Sequence, residues 1–416
     1  MKSNLTILLS FIVFIAVSNI FAQAGAIQAL EVCPSVKQNS LGMTGTSMPG
    51  DDPAAFFYNP AQLGYVGQNN SISFQFNPSY LSFDNASYKS TSFNIGYNFN
   101  KLLKGLNLSA GFGYMHSKFD MTSFEGSVYL YPSGFETDKY DAYGIGIGID
   151  YFVQLNIGLT YKKITGDYSP YSYPILWYIG NNTKISSNGS AMDYGMLLIV
   201  PVTKLLSPKL QFPVVDGIPA YPYFNFSTGY ALLNVSNGMS SSSAGNNITY
   251  DLPRSARLGY TISMGLNIGL RNCTLKAFGY DFTADADDYL AESNIYIGRT
   301  NFQSFLGDIS IGRHLLELKS DGSVIVHKGH NFDLFETVSF QLGSFDGNGY
   351  STESCNGFGI QSKGIFKVIA DFTNNHQLNF VLRHLDIQYF SSTLYAGTYW
   401  ETKFKGINII WYGMTF

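Results

Sequence analysis

From Ser71 onward, apolar and polar residues alternate with a period of two over stretch after stretch. Successive side chains on a strand point to opposite faces, so this is the pattern of strands with one apolar face. Ile72, Phe74 and Phe76 alternate with polar residues, as do Phe93, Ile95, Tyr97 and Phe99, then Leu106, Leu108, Ala110, Phe112 and Tyr114. Over residues 143–150, Ile145, Ile147 and Ile149 occupy one face and Gly144, Gly146 and Gly148 the other. No helix pattern follows those glycines, which argues against a dinucleotide-binding loop. Further strands are expected near 155–164, 192–200, 221–232, 256–269, 273–282, 303–318, 332–343, 358–370, 377–390 and 404–416. Amphipathic helices are hardly visible. The total is about 14 strands, an even number of the kind that closes an antiparallel barrel with both termini on one side.

The connections suit that closure. Short turns, as at 100–105 and 270–272, contrast with long inserts at 117–140, 165–191, 201–220, 234–255 and 283–302. In a membrane barrel, short turns belong at the periplasmic end and long loops outside. Ser240 to Ser243, followed by Gly245, Asn246 and Asn247, reads as a flexible loop tip.

Composition changes the picture from a soluble sheet to a lipid-facing one. Charged residues are only 13% of the chain, while aromatics reach 16% with 30 Tyr and 33 Phe. Ordinary soluble domains carry roughly 25% charge. An all-β antiparallel transmembrane barrel needs far less, because one face of each strand meets lipid. The net charge of −4 offers no basic patch, so nucleic acid is not expected as a partner.

Residues 1–22 read as a secretory signal peptide: Lys2, an apolar run from Leu5 to Val17, and small residues for cleavage near 22–24. The run falls short of the roughly 20 residues a spanning helix needs. Residues 23–70 differ from the rest. Gly42, Gly45, Gly50, Gly64, Pro49, Pro53 and Pro60 are scattered among Phe56, Phe57, Tyr58 and Leu63 with no sustained period. Such a segment is expected to fold inside the lumen as a hatch or plug, leaving 71–416 as the barrel. Cys33, Cys273 and Cys355 allow at most one disulfide, so the chain is no disulfide scaffold. Cys33 lies behind Glu31 and Val32, where a lipoprotein signal would have small residues, and reads as a buried or free thiol.

Two stretches carry a family resemblance: Ser40-Leu41-Gly42-Met43-Thr44-Gly45, and Asp51-Asp52-Pro53 leading to Phe56-Phe57-Tyr58-Asn59-Pro60-Ala61-Gln62-Leu63-Gly64. Together they resemble the amino-terminal signature of FadL-like outer-membrane proteins, and within them the PorV/PorQ branch. Looser similarity follows at Leu252-Pro253-Arg254-Ser255-Ala256-Arg257-Leu258-Gly259 and at Gly329-His330-Asn331-Phe332. The resemblance implies a 14-stranded barrel with an amino-terminal hatch, in the bacterial outer membrane and surrounded by its lipid. It leaves two functions open. The PorV/PorQ branch serves type IX secretion, where the barrel receives exported protein cargo, and the sequence leans to that side. The alternative is FadL-like transport of long-chain fatty acids or other hydrophobic compounds. A lipid-modifying enzyme is a distant third.

The residues singled out for this function are Asp51, Asp52, Asn59, Pro60 and Ala61 of the hatch motif. Pro60 restricts Asn59 to extended geometry, and the Asn59 amide can satisfy backbone groups inside a lumen. Tyr168, Tyr171, Tyr173, Trp177 and Tyr178 form an aromatic insert that suits either a contact surface or an interfacial girdle. Phe212, Pro213, Ile218, Tyr221 and Tyr223 suit a greasy external groove or loop packing. Phe416, a terminal aromatic on the last strand, resembles an assembly signal. No serine nucleophile elbow, phosphate loop or helical zinc motif occurs, so neither catalysis nor a cofactor or metal is expected. His327 and His330 are expected in a loop, three apart. Asp281, Asp285, Asp287, Asp288 and Glu292 are expected as a solvated acidic loop, with calcium the sharper alternative.

Overall fold

The computed structural model describes residues 28–414, apart from 81–85, 102–106, 123–134, 169–184, 214–217, 244–245, 251, 272, 291–292, 295–297, 300–304, 374 and 399. The expected signal peptide, Glu292, Phe416 and the insert residues Tyr171, Tyr173, Trp177 and Tyr178 lie outside the described residues.

Fourteen strands form the wall: β1 (Ile72–Tyr80), β2 (Ser87–Asn98), β3 (Asn107–Thr122), β4 (Phe135–Asp150), β5 (Gln154–Tyr168), β6 (Ile185–Val200) and β7 (Pro219–Val235), then β8 (Ser255–Gly269), β9 (Thr274–Tyr289), β10 (Val324–Leu334), β11 (Val338–Gly347), β12 (Tyr350–Gln361), β13 (Leu385–Leu394) and β14 (Thr402–Trp411). Each pairs antiparallel with its neighbours in sequence, and β1 pairs β14 with Ile72 opposite Trp411. No edge is left open, and the fold is a closed antiparallel barrel. Strand directions place the start of β1 and the end of β14 at one rim, the termini end; the opposite rim is the loop end.

The period-two pattern now has two named sides. Phe74, Phe76, Ile145, Ile147, Phe340, Leu342, Ile407 and Ile409 project outward and are exposed. Ser73, Gln75, Asn94, Ser109, Asn156, Gln341, Gln388 and Asn408 project inward and are buried. An apolar belt outside and polar groups inside is the inverse of a soluble protein and the arrangement of a barrel in lipid. Among the described residues no helix is long and apolar enough to cross a membrane.

The inward polar groups are buried because residues 28–71 fill the lumen. This inner segment carries α1 (Gln28–Glu31), α2 (Val36–Ser40), a 3-10 turn at Ala55–Phe57 and α3 (Gln62–Gln68). Three more helices lie at the termini end: α4 (Val202–Leu206) between β6 and β7, and α5 (Lys363–Phe372) and α6 (His376–His384) between β12 and β13.

Several expected elements differ. Residues 311–316 form a π-helical turn in a long loop, not a strand. Residues 332–343 span the end of β10, a tight turn with positive φ at Phe335 and Glu336, and the start of β11. Residues 358–370 pass from strand into helix at Ser362, and residues 377–390 from helix into strand at Leu385. The insert at 201–220 falls at the termini end with the short turns, because it follows an even-numbered strand. Ser240 to Ser243 belong to a strand, Met239–Ser243, paired with Asn246–Tyr250.

Candidate functional site: the barrel lumen

The wall admits the inner segment through its glycines. A Cβ on Gly111 would lie 2.1 Å from the Leu63 carbonyl oxygen, one on Gly158 2.2 Å from the Pro60 oxygen, and one on Gly229 2.1 Å from the Thr46 oxygen. Gly343 would strike the Gly42 nitrogen at the same 2.1 Å, and Gly146 the Gly64 nitrogen at 2.4 Å. These positions sit on five different strands, so the wall holds a track of missing side chains into which backbone is laid. Gly42 itself has φ +69°, a left-handed conformation that favours glycine.

Hydrogen bonds secure the segment along the track. The Asn59 side-chain nitrogen donates to the Thr46 oxygen at 2.6 Å and to the Met196 oxygen of β6 at 2.9 Å. Its side-chain oxygen accepts the Ala61 amide at 3.0 Å, the local turn that asparagine favours. Pro60 and Ala61 thus sit at the entry to α3, with Ala61 buried against Leu197 and Ile199. Asp285 of β9 accepts the Gly45 and Thr46 amides at 2.9 and 3.0 Å. His327 Nδ1 donates to the Gly42 oxygen at 2.7 Å, and the Ser227 hydroxyl to the Ser47 oxygen at 2.7 Å.

Asp51 and Asp52 occupy different surroundings. Asp52 accepts from the Ser35 hydroxyl and from the Ala54 amide, so it shapes the segment itself, and burial raises its carboxyl above the ordinary range. Asp51 faces the termini end and accepts the Tyr412 hydroxyl. Burial pushes its carboxyl up, but Lys363, the Tyr412 hydroxyl and Lys37 outweigh burial and hold it below the usual value.

The lumen has two halves of opposite character. Toward the loop end the inward side chains are Tyr88, Met115, Phe119, Tyr140, Ile164, Phe345 and Phe404, packed with Leu30, Phe56, Phe57 and Tyr58 of the inner segment. Toward the termini end lies a cavity of about 560 Å³ lined by Lys37, Asp51, Asn225, Lys276, Asp281, Asp333, Glu336 and Lys363 among others. Leu197 and Ile199 are apolar exceptions on that lower wall. Residues 45–64 separate the halves.

Two buried ion clusters interrupt the apolar half. Lys162 pairs with Asp193 at 2.8 Å and donates to the Asn234 side-chain oxygen at 2.9 Å. Arg257 lies 3.3 Å from Asp287 and 3.5 Å from Asp285, donates to the Met43 oxygen, and stacks 3.9 Å from the Tyr58 ring. Buried charges need partners of this kind; Arg257 reaches the inner segment through Met43 and Tyr58, whereas Lys162 links three wall strands and lies 5.4 Å from the Phe57 ring of the segment.

Those carboxylates correct the expected acidic loop: Asp281, Asp285, Asp287 and Asp288 are residues of β9. Asp285 and Asp287 face inward to Arg257, whereas Asp288 accepts the Asp308 amide under the long loop. His327 and His330 likewise belong to β10, where a spacing of three puts them on opposite faces. His330 meets Tyr280 outside the wall. Among the described residues no three His, Cys, Asp or Glu group to hold a metal ion. Cys33 and Cys355 are buried, Cys273 half-buried, and all three are free thiols. Phe212 and Ile218 are exposed at the termini end, and Tyr223 lines the polar cavity, so they form no external groove. Tyr168 ends β5 at the loop end. The glycine track was open to sequence reading only in part: Gly144, Gly146 and Gly148 stood out, but not what lay against them.

No protein-family model and no curated protein sequence matches the chain. Among solved structures it is similar to the Ralstonia pickettii toluene transporter TbuX, at 11% identity and a TM-score of 0.42, covering 91% of this chain and 98% of that one. A Pseudomonas aeruginosa FadL homologue is similar at 8% identity and a TM-score of 0.34, covering 90% and 96%. The translocator domain of the autotransporter NalP from Neisseria meningitidis is similar at 11% and 0.36, covering 82% and 87%. With likeness this low, the function of the barrel has to be read from its own residues.

Proposed function

We propose that this chain is an outer-membrane channel for a hydrophobic small molecule, with residues 28–71 acting as its hatch. One observation carries the reading: the lumen is apolar on the loop side, polar on the termini side, and divided by the inner segment. A water-filled pore gains nothing from inward Phe119, Phe345 and Phe404, whereas an apolar compound entering from outside meets a surface that desolvates it. Phe56 and Phe57 occupy that surface in this structure, standing where such a compound would bind. The track of glycines and backbone hydrogen bonds gives the hatch a defined closed position.

The secretion reading rests on the Asp51 to Gly64 motif and on the aromatic insert as a cargo-binding surface. It makes a different demand, a broad exposed loop surface over a permanently filled lumen. Native mass spectrometry of the barrel purified from outer membranes separates the two. A bound hydrophobic compound at one per chain is the expected result. Co-purified exported protein with no small molecule bound overturns the transport reading and favours cargo reception.

A further inference from the structure

The α5–α6 hairpin turns its apolar side away from the protein. Ile365, Val368, Ile369 and Phe372 recur at helical spacing along α5, and all four are exposed, Phe372 at 72%. The opposite face of α5 is fixed to the barrel. The Gly364 amide donates to the Glu336 oxygen at 3.0 Å, Lys367 Nζ donates to the Thr274 oxygen at 2.9 Å, and Asp371 accepts the Arg271 amide at 3.2 Å. A Cβ on Gly364 would lie 1.7 Å from the Phe335 oxygen, so this seating is close. The Asn379 side-chain nitrogen of α6 donates to the Ala370 oxygen and keeps the two helices together.

The stripe is continuous with the lipid-facing belt. Phe380 of α6 lies 6.0 Å, centroid to centroid, from Trp411, and His384 stacks on the same ring at 5.8 Å. Trp411 shares the outward face of β14 with Ile407 and Ile409, both exposed. A helix whose polar face is satisfied by protein and whose apolar face adjoins a membrane belt lies in the plane of the interface. We infer that α5 and α6 are an in-plane hairpin embedded in the phospholipid leaflet at the termini end. The inference rests on the barrel's seating in a bilayer and holds whatever the lumen carries.

Nitroxide labelling of the full chain tests this, in a Cys273→Ser background so that the only remaining native thiols are the buried Cys33 and Cys355. Labels are placed singly at Ile369→Cys and Ile365→Cys, with Ile409→Cys as the lipid reference and Lys319→Cys, in the exposed loop between β9 and β10, as the water reference. The chains are reconstituted in phosphatidylethanolamine–phosphatidylglycerol vesicles, and a heat-dependent gel shift checks that each is folded. Labels at 365 and 369 should favour oxygen over a nickel chelate several-fold more than the label at 319, matching 409. Chelate access at both helix sites equal to that at 319 overturns the inference. So does shielding that appears only after a periplasmic protein extract is added, which would assign the face to a protein partner. If one labelled site prevents folding, the other decides the question.

Discussion

At Gly111 a single methyl group is enough to contest the position of the inner segment. Its Cβ would sit 2.1 Å from a backbone oxygen of Leu63, which has no flexible side chain to move aside. Gly111→Ala should therefore leave the wall paired while displacing α3, and ion conductance through single barrels in a planar bilayer should rise. Unchanged conductance would show that the segment tolerates the shift. Asn59 tests the polar fastening instead. Asn59→Ala removes the side-chain donor to the Thr46 and Met196 oxygens and the acceptor of the Ala61 amide, each lost buried hydrogen bond costing on the order of 1 kcal/mol. Hydrogen exchange over residues 45–64 should accelerate at least tenfold, with wall strands unaffected; equal acceleration everywhere would mean that Asn59 supports the whole fold. Asn59 and Pro60 could be found from the chain alone because a turn motif is local. The partner at Met196, 137 residues away, could not.

The elements were legible where one rule acted alone and obscured where two met. Strands β1 to β9 follow period two over long runs, and their existence was evident from alternation. In the last third, Phe358 and Ile360 alternate as a strand, and Ile365, Val368 and Ile369 then continue the apolar run at helical spacing. A short apolar stretch does not by itself distinguish the two periods. The expected count near 14 agreed because one spurious strand at 303–318 offset the hairpin of β10 and β11 read as a single strand. Attachment of α5 carries a pH dependence. Burial pushes the Glu336 carboxyl up, but Lys363 and Lys367 overcome it and hold the group below its ordinary value of 4.5. A carboxyl depressed by folding contributes stability that is complete above 4.5 and is lost as pH falls through the lower folded value. Exchange of the α5 amides should thus speed up in acid relative to wall amides, after correction for intrinsic rates. Glu336→Gln should show that looser α5 already at neutral pH. If the variant and the parent behave alike at neutral pH, the lysine pairs do not hold the helix.

For the whole molecule, the proposed transport raises the question of whether the inner segment moves. Every fastening along the glycine track is a hydrogen bond or a close packing contact, and none is covalent; Cys33 and Cys355 remain unpaired. A movable hatch needs reversible fastenings, but a permanent plug could use the same ones. Ser47 and Thr261 provide the means to choose, since their hydroxyl oxygens lie 2.8 Å apart, one on the segment and one on β8. With Ser47→Cys and Thr261→Cys in the same chain, oxidation should join segment to wall at a point between the apolar and polar halves. The oxidised barrel should take up hydrophobic compounds into vesicles far more slowly than the parent, and a reductant should restore the rate. Each single variant under the same oxidant controls for damage elsewhere. If the cross-linked barrel transports at the parental rate, the segment stays in place during passage and any route must run beside it through the wall. If it binds the compound at one per chain without releasing it inside, the apolar half is the binding chamber and movement of residues 45–64 is the step that opens the polar cavity.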